Sequence, residues 1–160
     1  MIHFRTGGVQ DAGQITDLLN DIITQGDSTA MVKPVDRAFI TDWITSSPRA
    51  LWVVAEDDSG TLKGFQCVTP HKTMGETVAQ IGTYARVGQT GLGIGSGMFE
   101  HLKTLCRAHE YTWVNAEIRA DNSGGLAYYQ SRGFEDYGRI PNVELADGRH
   151  VDKVLKRYDL

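Results

Sequence analysis

The chain has 160 residues, a length that suits one domain and hardly two. A hydrophobic share of 41%, with three Trp, six Tyr and five Phe, is enough for a packed core. The net charge of −4, without a run of five like charges, advertises none of the basic surface that sequence-independent nucleic-acid binding needs.

Ile2 to Arg5 reads as a short strand. From Val9 the apolar residues Ala12, Ile15, Leu18, Leu19, Ile22 and Ile23 follow at helical spacing, and Gly26 stops that helix. The loop QGDSTAMVK leads to Pro34, which is suited to the first position of a second helix carrying Val35, Ala38, Phe39 and Trp43 and ending before Pro48. Leu51 to Glu56, the turn Asp57-Asp58-Ser59-Gly60 and Leu62 to Val68 form a hairpin. Thr77 to Ala85 is the next strand. It is followed by a glycine-rich turn and a helix from Ile94 to Ala108. Trp113 to Ile118 is a strand and Ser123 to Ser131 a short helix. The strands Phe134 to Ile140 and Val151 to Arg157 end the chain, joined by a turn at Asp147-Gly148. The alternation of strand and helix predicts an α/β (α+β) fold of one domain over residues 1–160, with a mostly antiparallel sheet. Only the unit from Thr77 to Ile118 is a natural parallel crossover.

Cys67 and Cys106 form neither a CxxC pair nor a disulfide framework, and both are expected as small buried apolar residues. The N-terminal MIHFRTGGVQ has no apolar signal core, and no apolar run reaches membrane-spanning length, so a cytoplasmic setting is expected. The histidines at 3, 71, 101, 109 and 150 are scattered, and no metal site is expected.

The most informative segment is Gly88-Gln89-Thr90-Gly91-Leu92-Gly93-Ile94-Gly95-Ser96-Gly97. It follows an apolar strand and opens an amphipathic helix. A helix start leaves backbone N–H groups unpaired, its dipole favours an anion, and glycine lets a phosphate come close. The segment therefore reads as a phosphate cradle, with an unliganded tight turn as the alternative. It is not a P-loop, since Ser96 follows Gly95 and the next lysine is Lys103. Nor does the dinucleotide fingerprint fit, because its third glycine would fall on Ser96 or Met98.

With Thr90-Gly91-Leu92-Gly93-Ile94-Gly95 in the place of an Arg/Gln-x-x-Gly-x-Gly/Ala loop, the chain resembles the GNAT superfamily of N-acetyltransferases. A second match is Asn122-Ser123-Gly124-Gly125-Leu126-Ala127-Tyr128-Tyr129-Gln130-Ser131-Arg132-Gly133-Phe134, which resembles the family's Asn…Tyr…Gly-Phe segment. Thr90 departs from the family's Arg or Gln, which weakens one side-chain contact and leaves the main-chain donors. The GDSTA loop, the AEIRADN stretch and the KRYDL ending look like the branch that includes phosphinothricin-type acetyltransferases.

The resemblance implies a GNAT-like sheet with helices on both faces and a splayed parallel strand pair that admits acetyl-CoA. The main-chain N–H groups of Tyr84, Ala85 and Arg86 would hold the thioester carbonyl. Thr90, Gly91, Gly93, Ile94, Gly95 and Ser96 would hold the pyrophosphate, Asn122 the pantetheine arm, and Tyr129 would protonate the departing thiolate. Acetyl transfer needs a neutral amine, donors for the tetrahedral oxyanion and an acid for the leaving group. The branch's strand glutamate falls on Gln80, which cannot usefully accept a proton. The proton then leaves through water, or through a displaced group among Glu76, Glu117 and His71. The acceptor pocket is expected from Gln25 to Met31, Trp43 and a turn near Asn142.

The resulting expectation is direct acetyl transfer from acetyl-CoA, through a tetrahedral intermediate, to a small primary amine such as an amino acid or an analogue, by a homodimer without a metal. A protein N-terminal or lysine acetyltransferase and a catalytically weak acyl-CoA sensor are the alternatives.

Overall fold

The computed structural model describes residues 1–26, 28–86 and 93–160. In chain order the elements are β1 (His3–Thr6), a 3-10 turn (Val9–Asp11), α1 (Ala12–Gln25), α2 (Arg37–Ile44), β2 (Leu51–Glu56), β3 (Leu62–His71), β4 (Gly75–Ala85), α3 (Ile94–Ala108), β5 (Trp113–Arg119), α4 (Ser123–Ser131), β6 (Glu135–Glu144) and β7 (His150–Asp159). The seven strands form one sheet in the order β1-β2-β3-β4-β5-β7-β6. Every neighbouring pair is antiparallel except β4 with β5.

The apolar spacing of the sequence becomes two cores, one on each face. α1 buries Ala12, Ile15, Leu18, Leu19, Ile22 and Ile23 against Trp52, Val54, Leu62, Phe65 and Cys67. α3 buries Ile94, Met98, Phe99, Leu102 and Cys106 against Val53, Val68, Ile81, Val114 and Ala116. Helices on both faces are therefore present as expected, and both cysteines are free and buried. Gly26 ends α1 in the left-handed region at φ 83°, with its N–H on the Ile22 carbonyl.

Several boundaries differ from the sequence reading. Pro34 does not open α2. Asp36 caps the helix instead, its Oδ1 accepting from Phe39 N at 2.8 Å. β3 and β4 each run further toward their shared turn than expected, to His71 and from Gly75. β6 passes through Pro141 because it is an edge strand, where a missing N–H costs no ladder bond. Asn142 is not in a turn. It sits inside β6 at an irregularity between Ile140 and Val143, in the left-handed region at φ 56°. Trp43 packs against the α1-side core, meeting Trp52 and Tyr84 edge to face with ring centroids at 4.9 and 6.2 Å.

The parallel pair positions the site. β4 and β5 pair only at Val78–Trp113, Ala79–Val114 and Gln80–Asn115. Beyond those rungs the strands part, and the C-terminal ends of both line a cleft. No helix among the described residues is long and apolar enough to cross a membrane.

Candidate active site

The unpaired wall of the cleft is β4. Arg86 N donates to Lys63 O at 2.8 Å, toward β3. Alternation along an antiparallel pair turns Tyr84 the same way and turns Thr83 and Ala85 toward β5, which has already departed. Of Tyr84, Ala85 and Arg86, it is therefore Ala85 whose N–H faces the cleft. The Tyr84 ring lies elsewhere, stacked on Phe65 at 4.6 Å in the α1 core, and burial pushes its phenol upward.

At the mouth of the cleft α3 begins. Gly93 caps it at φ 71°, a conformation that L side chains rarely adopt, and a Cβ there would meet no described residue within 4 Å. Gly97 N donates to Gly93 O at 3.0 Å, so the N–H groups of Ile94, Gly95 and Ser96 precede the first helical bond and have no partner among the described residues. Such an N-terminus has the donors that a pyrophosphate needs. Gly95 and Gly97 are small for a different reason. A Cβ on Gly95 would lie 2.5 Å from Tyr128 Cε1, and one on Gly97 would lie 2.0 Å from the Phe4 ring. Ile94 points its side chain into the core. Thr90 and Gly91, with Gly88, Gln89 and Leu92, lie outside the described residues, as does Asp27.

Behind the cleft, α4 presents two tyrosines. Tyr129 is buried and its hydroxyl is 2.7 Å from Thr83 Oγ1. Burial first of all drives its phenol upward, so it keeps its proton at any physiological pH. Tyr128 donates to Gly95 O at 2.7 Å and accepts from Gln66 Nε2 at 3.1 Å, with burial raising its phenol to about 12. Asn122 is the N-cap of α4. Its Oδ1 accepts from Gly125 N at 3.0 Å, and its Nδ2 donates to Ser28 O at 3.0 Å.

The opposite face of β4 and β5 carries a polar group of residues. Asn115 Nδ2 donates to Gln80 Oε1 at 2.6 Å and lies 3.5 Å from Glu117 Oε2, while Tyr137 donates to Asn115 Oδ1. Glu117 also has His71 Nε2 at 3.8 Å and Lys153 Nζ at 3.9 Å. His71 Nδ1 accepts from the main-chain N–H groups of Thr73 and Met74 at 3.2 and 3.1 Å. Those groups only donate, so Nδ1 is the bare nitrogen and Nε2 carries the hydrogen, facing Glu117. Glu76 stands apart from this group. It is exposed at the start of β4, and only its carbonyl is engaged, by Arg49 Nε at 3.1 Å.

The loop between α1 and α2 is strapped over this region by a residue that the sequence reading missed. Arg119, only 3% exposed, donates to Gly26 O at 3.2 Å and Thr29 O at 2.8 Å, and pairs with Asp121 at 2.7 Å. Arg149, in the β6–β7 turn, reaches Gly26 O at 3.4 Å. Beside it a hollow of about 540 Å³ is lined by Met31, Lys33, Val35, Asp36, Phe39 and Ala146, and by none of the cleft residues. A buried arginine is invisible to hydropathy patterning, and its only sequence signal was its place in the AEIRADN stretch. Among the described residues no three His, Cys, Asp or Glu side chains are grouped to hold a metal ion.

A strand pair joined at only three rungs, a glycine-capped helix N-terminus and a buried tyrosine together make up the candidate site. The acetyltransferase (GNAT) family model matches residues 14–134, and the chain belongs to that family. It is an acetyl-CoA-dependent N-acetyltransferase, similar to phosphinothricin acetyltransferases. YwnH of Bacillus subtilis (strain 168), which carries the provisional name of a phosphinothricin acetyltransferase, is 24% identical over 154 residues, covering 92% of this chain and 93% of that protein. The phosphinothricin acetyltransferase (Pat) of Sinorhizobium meliloti, solved in complex with AcCoA, superposes with a TM-score of 0.87 at 22% identity, covering 99% of this chain and 88% of that one. The ribosomal-protein-alanine N-acetyltransferase of Brucella melitensis superposes at 0.89, also at 22% identity, covering 99% of both chains.

Proposed function

We propose that this enzyme transfers acetyl from acetyl-CoA to a small primary amine, such as an amino acid or an analogue. The observation that carries the reading is the partly buried polar group Gln80–Asn115–Glu117 on the face of the β4–β5 opening away from α3. Its buried polar atoms, near a loop held down by Arg119, suit a single amine better than a polypeptide segment. Ala85 N–H polarises the carbonyl, and the N–H groups of Ile94, Gly95 and Ser96, continuing from Gly91, hold the pyrophosphate. Asn122 shapes the pantetheine wall through the cap of α4. The amine nitrogen forms a C–N bond to the carbonyl carbon, giving a tetrahedral intermediate; the C–S bond then breaks with its electron pair on sulfur, and sulfur takes the Tyr129 proton. The phenolate regains a proton from the one that the amine releases, through solvent.

That amine proton leaves through water held by Gln80, with Glu117 two residues beyond the last β4–β5 rung as the nearest carboxylate to receive it. Glu76, at the far end of β4, is the weaker candidate. His71 is also weaker as a base, because its bare nitrogen is already occupied. The enzyme works in the cytoplasm, where acetyl-CoA is formed, as a homodimer. Support for the dimer comes from β6, an edge strand exposed at nine of its ten residues.

A protein N-terminal acetyltransferase is the second reading, favoured by the likeness to the Brucella melitensis fold. CoA release measured against free amino acids, methionine sulfoximine and N-terminal peptides separates the two. Turnover with peptides alone overturns the small-amine reading. Acetyl-CoA binding without turnover on any amine makes the protein a sensor.

A further inference from the structure

The buried side chains behind the cleft form a continuous chain of hydrogen bonds, and donor arithmetic fixes the direction of every link up to Thr83. The chain starts at Gly95 O, a main-chain carbonyl that can only accept. Tyr128 lies 2.7 Å from it and so spends its single hydroxyl hydrogen there. Tyr128 therefore offers only lone pairs to Gln66, and the Gln66 atom facing it at 3.1 Å must be the amide nitrogen. The same nitrogen is 2.9 Å from Thr83 Oγ1 and donates its second hydrogen to it. The reverse amide orientation would put oxygen against the Tyr128 lone pairs and leave the –NH2 where Gln66 Oε1 now has no partner, in a residue with no exposure. Thr83, already accepting from Gln66, has one hydrogen left. Its partner among the described residues is the Tyr129 hydroxyl at 2.7 Å, a bond in which either oxygen can donate, since Thr83 keeps a second lone pair. Once an acceptor such as a thiolate stands in the cleft, only one arrangement pairs both hydrogens: Thr83 donates to Tyr129, and Tyr129 donates to the acceptor.

We infer that Thr83 is a positioning residue that keeps the Tyr129 hydroxyl hydrogen aimed into the cleft as a donor, with Gln66 and Tyr128 setting the direction of the chain from the start of α3. The inference rests on the proposed role of Tyr129 as the acid. Without a hydroxyl donating to its oxygen, the Tyr129 phenol is a weaker acid and so a weaker donor to the departing sulfur. The arrangement also ties the acid to the pyrophosphate end, because the carbonyl that begins the chain belongs to a residue whose N–H is one of the free α3 donors. The same Thr83 bond works against the effect of burial on the Tyr129 phenol, as a hydroxyl donating to it should.

The test uses bound CoA, whose thiolate absorbs in the near ultraviolet, and so needs no acceptor. The thiol is titrated on the folded wild-type, Thr83→Ser, Thr83→Val, Tyr129→Phe and Thr83→Val/Tyr129→Phe proteins. The expected result is a bound-thiol pKa raised by Thr83→Val and preserved by Thr83→Ser, with CoA affinity changed less than threefold. In the Tyr129→Phe background, adding Thr83→Val should move the thiol no further. An equal shift from Thr83→Val in both backgrounds, or no shift in either, overturns the positioning role. A Tyr129→Phe protein with an unshifted thiol overturns the reading of Tyr129 itself, a different outcome. Thr83→Val strands one buried Gln66 hydrogen. If it does not fold, Thr83→Cys, a weaker donor and acceptor, is expected to give a shift in the same direction.

Discussion

β3 and β6 are both ten residues long and belong to one sheet, yet they live in different solvents. Leu62–His71 lies in the sheet interior between β2 and β4, with Phe65 and Cys67 in one core and Val68 in the other. Glu135–Glu144 is the edge strand beyond β7, and both of its faces are exposed. The sheet passes from an insulated half to a wet half, and the active-site cleft opens at the border. On the insulated side, buried polar groups find their partners in one another, as in Gln66–Thr83–Tyr129. Toward the wet side, Tyr137 is exposed and Glu117 partly so, while Asn115 beneath them is fully buried.

The largest expected effect falls on the insulated half. Phe65→Ala removes a fully buried ring stacked between Trp52 and Tyr84 and should cost about 3–5 kcal/mol of stability. Ile140→Ala on β6 should cost less than about 0.5 kcal/mol in the separated protomer, at protein concentrations too low for the proposed dimer. Denaturant melts of the two variants measure the contrast directly. If Ile140→Ala is also costly, and the cost grows with protein concentration, β6 is covered by a second copy in solution.

Next comes the acid at the border. Tyr129→Phe should lower kcat about a hundredfold while acetyl-CoA affinity, read by calorimetry, holds. Wild-type turnover in a variant whose chemical step is shown to limit the rate would remove Tyr129 from the mechanism.

A smaller effect concerns pH. Burial alone would push the Asp11 carboxyl up, but the Arg5 guanidinium at 2.8 Å and the Gly8 N–H at 3.0 Å outweigh it and hold the group below the usual carboxylate range. A depressed folded pKa stabilises above the unfolded value, about 3.9, and that contribution is lost as pH falls through the folded value. Because Arg5 is partly exposed, the pair is worth about 1–2 kcal/mol. Asp11→Asn should lose that much stability between pH 6 and 8, and the gap from wild type should close on acidification below about pH 4. A gap independent of pH would mean that packing, not charge, sets the cost.

The smallest expected effect is at the helix mouth. A side chain on Gly93 would meet no described residue, and asparagine tolerates its left-handed backbone better than other side chains do. Gly93→Asn should fold normally yet weaken acetyl-CoA binding about tenfold, or about 1.4 kcal/mol, by crowding the phosphate approach. Unchanged affinity would place the pyrophosphate elsewhere.

Much of this was legible in the sequence, for local reasons. The spacing from Ala12 to Ile23 and from Ile94 to Cys106 defines two helices whose apolar faces need a sheet to cover. The turn at Asp57–Gly60 fixes the β2–β3 hairpin. Glycines before Ile94, and Asn122 with Tyr129 and Gly133, mark an acetyl-CoA fold through a family pattern. The start of α2 was misplaced because Pro34 and Asp36 both signal a helix start, and the bond from Asp36 to Phe39 decides between them. The glycines were also read too uniformly. Gly93 needs its backbone freedom, whereas Gly95 and Gly97 make room for Tyr128 and Phe4, neighbours that the sequence does not place.

The sequence by itself determined the elements, their order and the kind of chemistry, because helix periodicity, turn chemistry and a phosphate-binding helix start are properties of neighbours along the chain. The tertiary structure alone decided where β4 and β5 part and that Glu117 rather than Glu76 stands with Gln80. It also decided that Arg119 ties down a loop some ninety residues away and that Thr83 holds the hydroxyl of Tyr129. Each of these depends on strand register and on which face of the sheet a side chain leaves, and a one-residue slip would reverse them all.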